Sequence, residues 1–169
     1  MKPASRPSSP RRSLSPGRSG PRRARVVVGV GESPSSTAAL EWARGLCRRR
    51  GWVLDVVTAW PDQGEVPVHE VPGHYCDARG RAVGGLLTAL SACAIGPDES
   101  DVHVHVENAD PVRALVEHSR GAELLVVGEA MSGRSRRAGC APIEEACRHL
   151  AGCSVVVVSG PEAVPRSEV

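Results

Sequence analysis

Short apolar runs alternate with amphipathic stretches along the chain between residues 25 and 158. Continuous runs rich in valine and leucine are typical of strands buried on both faces of a parallel sheet, and they occupy residues 25–30, 53–59, 124–127 and 154–158. Residues 101–106 alternate between polar and apolar, as a strand does when only one face is well buried. The pattern therefore predicts five strands.

Between the predicted strands, apolar residues recur at intervals of three and four, the spacing of an amphipathic helix. They predict helices over 36–50, from about 82 to 96, from 111 to about 120, and from 142 onward to residue 150. Two predicted apolar faces are Ala39, Trp42, Ala43 and Leu46 on the first helix, and Ile143, Ala146, Cys147 and Leu150 on the fourth. Alternation of five strands with four helices predicts an α/β fold: a single open parallel sheet with helices on both faces.

Charge is divided unevenly along the chain. Residues 1–25 hold eight basic and no acidic side chains, whereas the remaining 144 residues hold 13 basic and 19 acidic ones, a net charge of −6. Residues 1–24 also contain five prolines and six serines, a composition that cannot bury enough apolar surface to offset the entropy of ordering. We therefore expect a disordered basic tail over 1–24, a folded domain over 25–159 and a flexible tail over 160–169.

Several classes of protein do not fit this sequence. The acidic body is not a nucleic-acid-binding domain, so nucleic acid is an expected partner only through the basic tail. No apolar run approaches the ~20 residues needed to cross a bilayer, and the charged N-terminus lacks the apolar stretch of a secretory signal. Six cysteines are too few for a disulfide scaffold. A cytoplasmic protein with reduced thiols is the expectation.

Ligands of open α/β sheets bind beyond the carboxyl ends of the strands. Two loops qualify here: residues 31–34 after the first strand and residues 128–141 after the fourth. A strand that leads through glycines into a helix suits phosphate, because free N–H groups and the helix dipole point at the anion. Neither loop contains a Walker sequence or a Gly-x-Gly-x-x-Gly pattern.

Three parts of the chain carry a resemblance to a known family: RVVVGVGESPSSTAALEWA from residue 25, VVTAWP from residue 56, and AELLVVG with HLAGCSVVVV from residues 122 and 149. They resemble the universal stress protein family, within the broader adenine-nucleotide α-hydrolase-like group. The resemblance spans residues 25–158. It implies a Rossmann-like, doubly wound sheet of strand order 3-2-1-4-5, homodimerisation often through the last strand and, in one branch, ATP binding. It brings no settled catalytic activity, so a non-enzymatic role is preferred and no catalytic residue is assigned.

The ATP-binding branch of that family carries a glycine motif after the fourth strand: Gly, two residues, Gly, nine residues, Gly, and Ser or Thr. Gly128 matches the first position, whereas Met131, Ala141 and Pro142 replace the other three. The branch also has an aspartate at the end of the first strand, where this chain has Gly31. The resemblance therefore implies a degenerate ATP site.

The residue types at these positions also oppose phosphate binding. Met131 introduces a side chain where backbone must approach phosphate and disfavours the positive φ that glycine allows. Pro142 removes a hydroxyl and an N–H at a helix start, two donors that a phosphate would use. Glu144 and Glu145 suit the helix dipole but repel an incoming triphosphate.

An arginine-rich loop opposes this interpretation in part. Arg134, Arg136 and Arg137 carry guanidinium groups that could hold a phosphate, although exposed arginine is common in loops. ATP is therefore a candidate cofactor, and no cofactor is assigned. The positions equivalent to the nucleotide site of the family are Val30, Gly31, Val57, Gly128, Met131, Gly133, Arg134, Ala141 and Pro142, and the expected dimer interface is Val155, Val156, Val157 and Val158.

Cysteine and histidine clusters give weaker signals. Cys140, Cys147 and Cys153 lack the tight pair of a structural zinc site; we expect Cys147 and Cys153 to be core thiols and Cys140 to be the one candidate for redox sensitivity. His103 and His105 point to the same side of the third strand, but the sequence places no third ligand near them. No metal site is therefore expected.

Three hypotheses remain at this point. The preferred one is a regulatory stress-response module, a homodimer without tight ATP binding. The second is an adenine-nucleotide-binding protein that uses the loop 128–141 with its arginines. The third is an interaction protein that recruits a partner through its basic N-terminal arm.

Overall fold

Three stretches of the chain carry the fold in the computed structural model, which describes residues 23–60, 77–129 and 142–160. The strands are β1 (Arg25–Gly29), β2 (Val53–Ala59), β3 (Val102–Glu107), β4 (Leu124–Gly128) and β5 (Ser154–Val158), and the helices are α1 (Pro34–Arg50), α2 (Asp77–Ala92), α3 (Pro111–Ser119) and α4 (Ile143–Leu150). Nearly all of both predicted tails lies outside the described residues. Within the described ranges, no helix combines the length and apolarity that a membrane span requires.

The five strands form one parallel sheet in the order β3-β2-β1-β4-β5. This confirms the predicted fold class and strand order. In the central register, Val28 of β1 lies between Val56 of β2 and Val126 of β4. β3 and β5 form the two edges of the sheet, and all five carboxyl ends lie along one side of it.

The sheet separates two apolar cores, one beneath α1 and α2 and the other beneath α3 and α4. Val26 and Val28 contribute to the first core and Val27 to the second. Both faces of β1 are therefore buried, which is why its apolar run is continuous. The chain has no phenylalanine, and valine, leucine, alanine and cysteine fill both cores.

Helix α1 begins two residues before its predicted start. Pro34 occupies its first turn, and Ser33 caps it by accepting a hydrogen bond from the Ser36 amide to its Oγ at 3.2 Å. Gly51 ends the helix with a φ of 65°, a conformation that favours glycine. The prediction that Trp42 belongs to the buried face is wrong, because its side chain is 39% exposed.

Other predicted bounds and faces also differ from the structure. Helix α2 begins at Asp77, before the predicted start near residue 82, and ends at Ala92. The predicted apolar face of α4 is buried only at Cys147; Ile143 is 42% exposed and Leu150 61% exposed.

A buried carboxylate, Asp55, joins β2 to its surroundings. Its Oδ2 accepts a hydrogen bond from Arg25 at 2.6 Å, and its Oδ1 lies 3.1 Å from His103 Nδ1. Arg25 also donates to the carbonyls of His118 and Arg120, which ties the end of α3 to the sheet. Burial raises the pKa of Asp55, but the hydrogen bonds from Arg25 and His103 outweigh it, and the net result is a pKa below the usual range.

We predict that Asp55→Asn lowers the free energy of unfolding by about 2 kcal/mol at neutral pH. The expected loss is below that of a fully buried pair because the Arg25 side chain is 30% exposed. Since the folded pKa is depressed, the contribution is complete above the pKa of an unfolded aspartate, about 3.9, and disappears as the pH falls through the folded value. Urea unfolding as a function of pH measures both effects.

The matched control is Asp101→Asn. Asp101 pairs with Arg23 at the surface, where ion pairs contribute little. Equal losses in the two variants would contradict a special role for the buried carboxylate.

Candidate functional site

A cleft of about 910 Å³ opens at the carboxyl ends of β1, β2 and β4. This is the side on which α/β sheets bind ligands, and the turn at residues 31–34 forms part of its wall, as predicted. Its described lining is Gly29, Val30, Gly31, Glu32, Ser33, Pro34, Ser36, Val57, Thr58, Ala59, Trp60, Ala78, Arg81, Ala82, Pro111, Leu115, Val127, Gly128, Glu129, Ile143 and Glu144.

The floor of the cleft is apolar. Val30, Val57 and Val127 come from the ends of three neighbouring strands, and Leu115 reaches the cleft from α3. Trp60 follows directly after β2 and is 7% exposed. The Thr58 hydroxyl donates to the Val30 carbonyl at 2.8 Å, so this polar group is already satisfied by the protein. The floor suits a flat apolar group better than a charged one.

The start of α1 is engaged in its own hydrogen bonds. Ser33 accepts from the Ser36 amide, and the Ser36 hydroxyl lies 2.8 Å from the Gly31 carbonyl. Ser35 is 2% exposed, and its hydroxyl donates to the Glu129 carbonyl at 2.7 Å. These bonds fasten α1 to the end of β4 and use polar groups that a ligand would otherwise contact.

Gly128 has a packing role at this junction. A Cβ at this position would lie 2.5 Å from the Ser35 carbonyl carbon and 2.6 Å from the Ser36 amide nitrogen. Those atoms are backbone of α1 and cannot move aside cheaply. The one glycine that survives from the family motif is therefore required by the approach of α1 to β4, whether or not a phosphate binds.

Acidic side chains and a proline surround the start of α4. Pro142 stands at its N-cap without a side-chain hydrogen bond, and Glu144 and Glu145 occupy the first turn. Glu144 lines the cleft together with Glu32 and Glu129, and Arg81 is the basic side chain among the described lining residues. Acidic side chains therefore outnumber basic ones among the described lining residues.

The structure brings together part of the predicted nucleotide site. Val30, Gly31, Val57 and Gly128 line the cleft, and Pro142 directly precedes its lining residue Ile143. The remaining predicted positions lie outside the described residues: Met131, Gly133, Arg134, Arg136, Arg137 and Ala141.

Sequence reasoning missed Trp60, Arg81 and Leu115 as lining residues. Trp60 carried a usable signal, because it lies in the segment VVTAWP and directly follows the predicted strand 53–59. Arg81 and Leu115 carried no such signal. Each belongs to a helix, and only the packing of that helix decides how close the residue lies to the cleft.

The thiols divide by burial. Cys147 is fully buried, and burial raises its pKa to about 11, as it does for Cys47 in the other core. This confirms the prediction that Cys147 is a core thiol. Cys153 is half-buried and packs against the same core, and Cys140 lies outside the described residues.

A smaller groove of about 390 Å³ lies between the end of α1 and residues 98–102. It is at the amino ends of β2 and β3, the side of the sheet where α/β folds do not place their ligands. The larger cleft is therefore the candidate site.

Comparison with known proteins agrees with this architecture. The model of the universal stress protein family matches residues 22–159. The chain belongs to the universal stress protein family. Universal stress protein Rv2005c of Mycobacterium tuberculosis (strain ATCC 25618 / H37Rv) is 30% identical over 147 residues, which cover 82% of this chain and 49% of the relative. The chain thus spans about half the length of that curated relative.

Solved structures of universal stress proteins share the fold. One, described as in complex with cAMP, has a TM-score of 0.58 at 23% identity and covers 82% of this chain and 98% of the other. The protein from Archaeoglobus fulgidus, described as in complex with dAMP, has a TM-score of 0.56 at 20% identity, with coverages of 80% and 97%.

We predict that Gly128→Ala destabilises the protein by about 3 kcal/mol, because the added methyl group meets α1 backbone closer than any ordinary contact. Gly31→Ala is the matched control: the same methyl group there has nothing within 4 Å, and stability should be unchanged or slightly raised. Urea denaturation of both variants measures the difference. Equal stabilities would refute the packing role of Gly128.

Proposed function

We propose that this chain is a regulatory stress-response module of its family, a homodimer whose cleft does not hold ATP tightly. The observation that carries the proposal is the start of α4, where Pro142 and Glu144 stand beside the cleft. A phosphate site at a helix start needs free N–H or hydroxyl donors and a positive potential. Here the N-cap residue, Pro142, has neither an N–H nor a hydroxyl group, and Glu144 in the first turn is acidic.

The rim of the cleft strengthens this argument. Three carboxylates, those of Glu32, Glu129 and Glu144, belong to the described lining with one guanidinium, that of Arg81. Each carboxylate repels an added phosphate by about 1 kcal/mol at 4 Å even in fully aqueous surroundings. A triphosphate carries most of its charge where those carboxylates lie, whereas an adenine ring would meet the apolar floor.

One alternative function has support of its own. Two structural relatives are described as complexes with adenine nucleotides, cAMP and dAMP, and the cleft here has the volume that such ligands require. In this alternative the chain binds an adenine nucleotide, and Arg134, Arg136 and Arg137 hold its phosphate.

Titration of the full chain with ATP and Mg²⁺ separates the two functions. We expect the wild-type Tm to stay unchanged. Glu144→Gln should strengthen ATP binding five- to tenfold, an effect on the order of 1 kcal/mol, because it removes one repulsive charge from the cleft. Glu145→Gln is the matched control, since Glu145 shares the helical turn but is not among the lining residues. Calorimetric titration measures each affinity.

The alternative function predicts a different outcome of the same titration. A rise of several degrees in the wild-type Tm with ATP, abolished by Arg134→Ala, would establish the alternative function. Equal effects of Glu144→Gln and Glu145→Gln would show that repulsion in the cleft is not the reason for weak binding.

The homodimer is proposed through β5, an edge strand of the described sheet. Its valines are only half-buried, and Leu150 on the neighbouring helix α4 is 61% exposed. An exposed apolar edge of this kind favours pairing with a second chain. Val155 and Val157 also pack on the core beneath α3 and α4, whereas Val156 is not part of either core cluster.

Val156→Lys is therefore the variant that tests the dimer. We expect it to yield a monomer on light scattering, because the added charge would have to be buried between the paired edges. Val104→Lys on β3, at the opposite edge, is the control, since Val104 is 46% exposed and the wild-type dimer should persist. A dimeric Val156→Lys protein would place the interface elsewhere.

A further inference from the structure

Two histidines and a carboxylate meet between the edge strand β3 and helix α3. His103, His105 and Glu107 alternate along β3, so their side chains share one face of the strand. Helix α3 crosses that face and adds His118 from its last turn. None of these four residues is among the lining of the ligand cleft in the described part of the chain.

The donor atoms of three of these residues are close together. One donor atom each from His105, Glu107 and His118 forms a group in which all separations are within 4.8 Å. His118 Nε2 lies 3.1 Å from Glu107 Oε1, and the rings of His105 and His118 have centroids 4.5 Å apart. Two imidazoles and a carboxylate are a donor set that zinc and related transition metals prefer.

A second carboxylate lies behind this group. Asp55 is 3% exposed, and its Oδ1 is 3.6 Å from His105 Nε2. That nitrogen is buried and has no hydrogen-bond partner among the described residues. Histidines that bind a metal through one ring nitrogen ordinarily donate the other to a carboxylate. A small shift of the His105 ring would place Asp55 in that role.

We propose that His105, Glu107 and His118 form a binding site for a divalent transition metal of the zinc class. Three protein ligands leave a fourth coordination position for water or for an exogenous ligand. The site joins β3 to α3 on the face opposite α1 and α2, and its metal would fasten the edge of the sheet to the helix that covers it. This proposal is independent of what the cleft binds.

The three donor atoms need to move only slightly closer together to coordinate one ion. A tetrahedral ion with bonds of about 2.1 Å holds its ligand atoms about 3.4 Å apart, so the pair Glu107–His118 is already near that distance. The side chains of His105, Glu107 and His118 are 33%, 42% and 20% exposed. They are accessible to an ion from solvent and have room to adjust their rotamers.

The competing interpretation is a purely structural network, in which His118 donates to Glu107 and the rings of His105 and His118 pack against each other at an interplanar angle of 48°. The two interpretations differ in what they predict on addition of zinc. A purely structural network predicts that Tm stays the same when zinc is added. A site that binds zinc only in the folded protein predicts that Tm rises with zinc concentration.

The test is calorimetric titration of the full chain with zinc chloride slightly above neutral pH, under reducing conditions, with Tm measured in parallel. We expect one zinc ion per chain. His118→Gln and Glu107→Gln should each weaken binding more than about 100-fold, beyond the loss typical of residues that only support a ligand. Glu107→Gln keeps the side-chain size at a half-exposed position, so it tests the site even where His118→Gln alters folding.

Two controls make the result decisive. His103→Gln, on the same face of β3, should leave zinc affinity nearly unchanged, and a loss equal to that of His118→Gln would overturn the ligand set. Cobalt chloride should give the absorption of a nitrogen and oxygen site without a thiolate charge-transfer band. Unchanged zinc affinity in His118→Gln and Glu107→Gln would refute the proposal, and a thiolate band would refute it and assign the metal to cysteines.

Discussion

The close approach of α1 to the end of β4 is the contact on which the rest of the structure depends. Gly128 lets the backbone of Ser35 and Ser36 lie directly against the strand, and the buried Ser35 hydroxyl closes the junction with a hydrogen bond to Glu129. This contact sets the position of the longest helix over the central strands. It also fixes one wall of the cleft, because the turn before α1 leads from β1 to that junction.

The cleft has the position and size of a ligand site, but few described groups in its lining suit a phosphate. Strand ends supply an apolar floor in the position that the doubly wound fold provides for ligands. Several polar groups around it are used by the protein, as Thr58 and Ser36 illustrate. The charged side chains of the described lining are acidic except for Arg81. A proline at the start of α4 stabilises that helix but gives no donor to a phosphate. Shape and charge in the described lining therefore favour different parts of a nucleotide, and the proposed weakness of ATP binding follows from the charge.

The two edges of the sheet carry different chemistry. At β5 the half-buried valines leave an apolar edge beside the exposed Leu150. At β3 the polar face turns toward α3, where Asp55 and Arg25 anchor a network of histidines. The side chains of β3 alternate between two faces. Its valines lie on the face toward α1 and α2, where only Val102 packs against the core, and its histidines lie on the face toward α3. The proposed metal site and the proposed dimer edge thus lie at opposite ends of the sheet.

The sequence by itself determined the five strands, the helices between them and their succession along the chain. Continuous valine runs mark strands buried on both faces, and three-to-four spacing marks amphipathic helices, so both signals are local. The order of the strands within the sheet was an implication of the family resemblance. The predicted start of α3 at residue 111 and the predicted end of α1 at residue 50 also agree with the structure, where Asp110 and Gly51 are the caps, since capping depends on neighbouring residues. Only the tertiary structure decided that Trp42 is largely outside the core, that Gly128 is needed by α1, and that His118 meets His105 and Glu107. These outcomes depend on how the helices cross the sheet. That packing sets the distances between residues that are remote in sequence, and no local pattern encodes them.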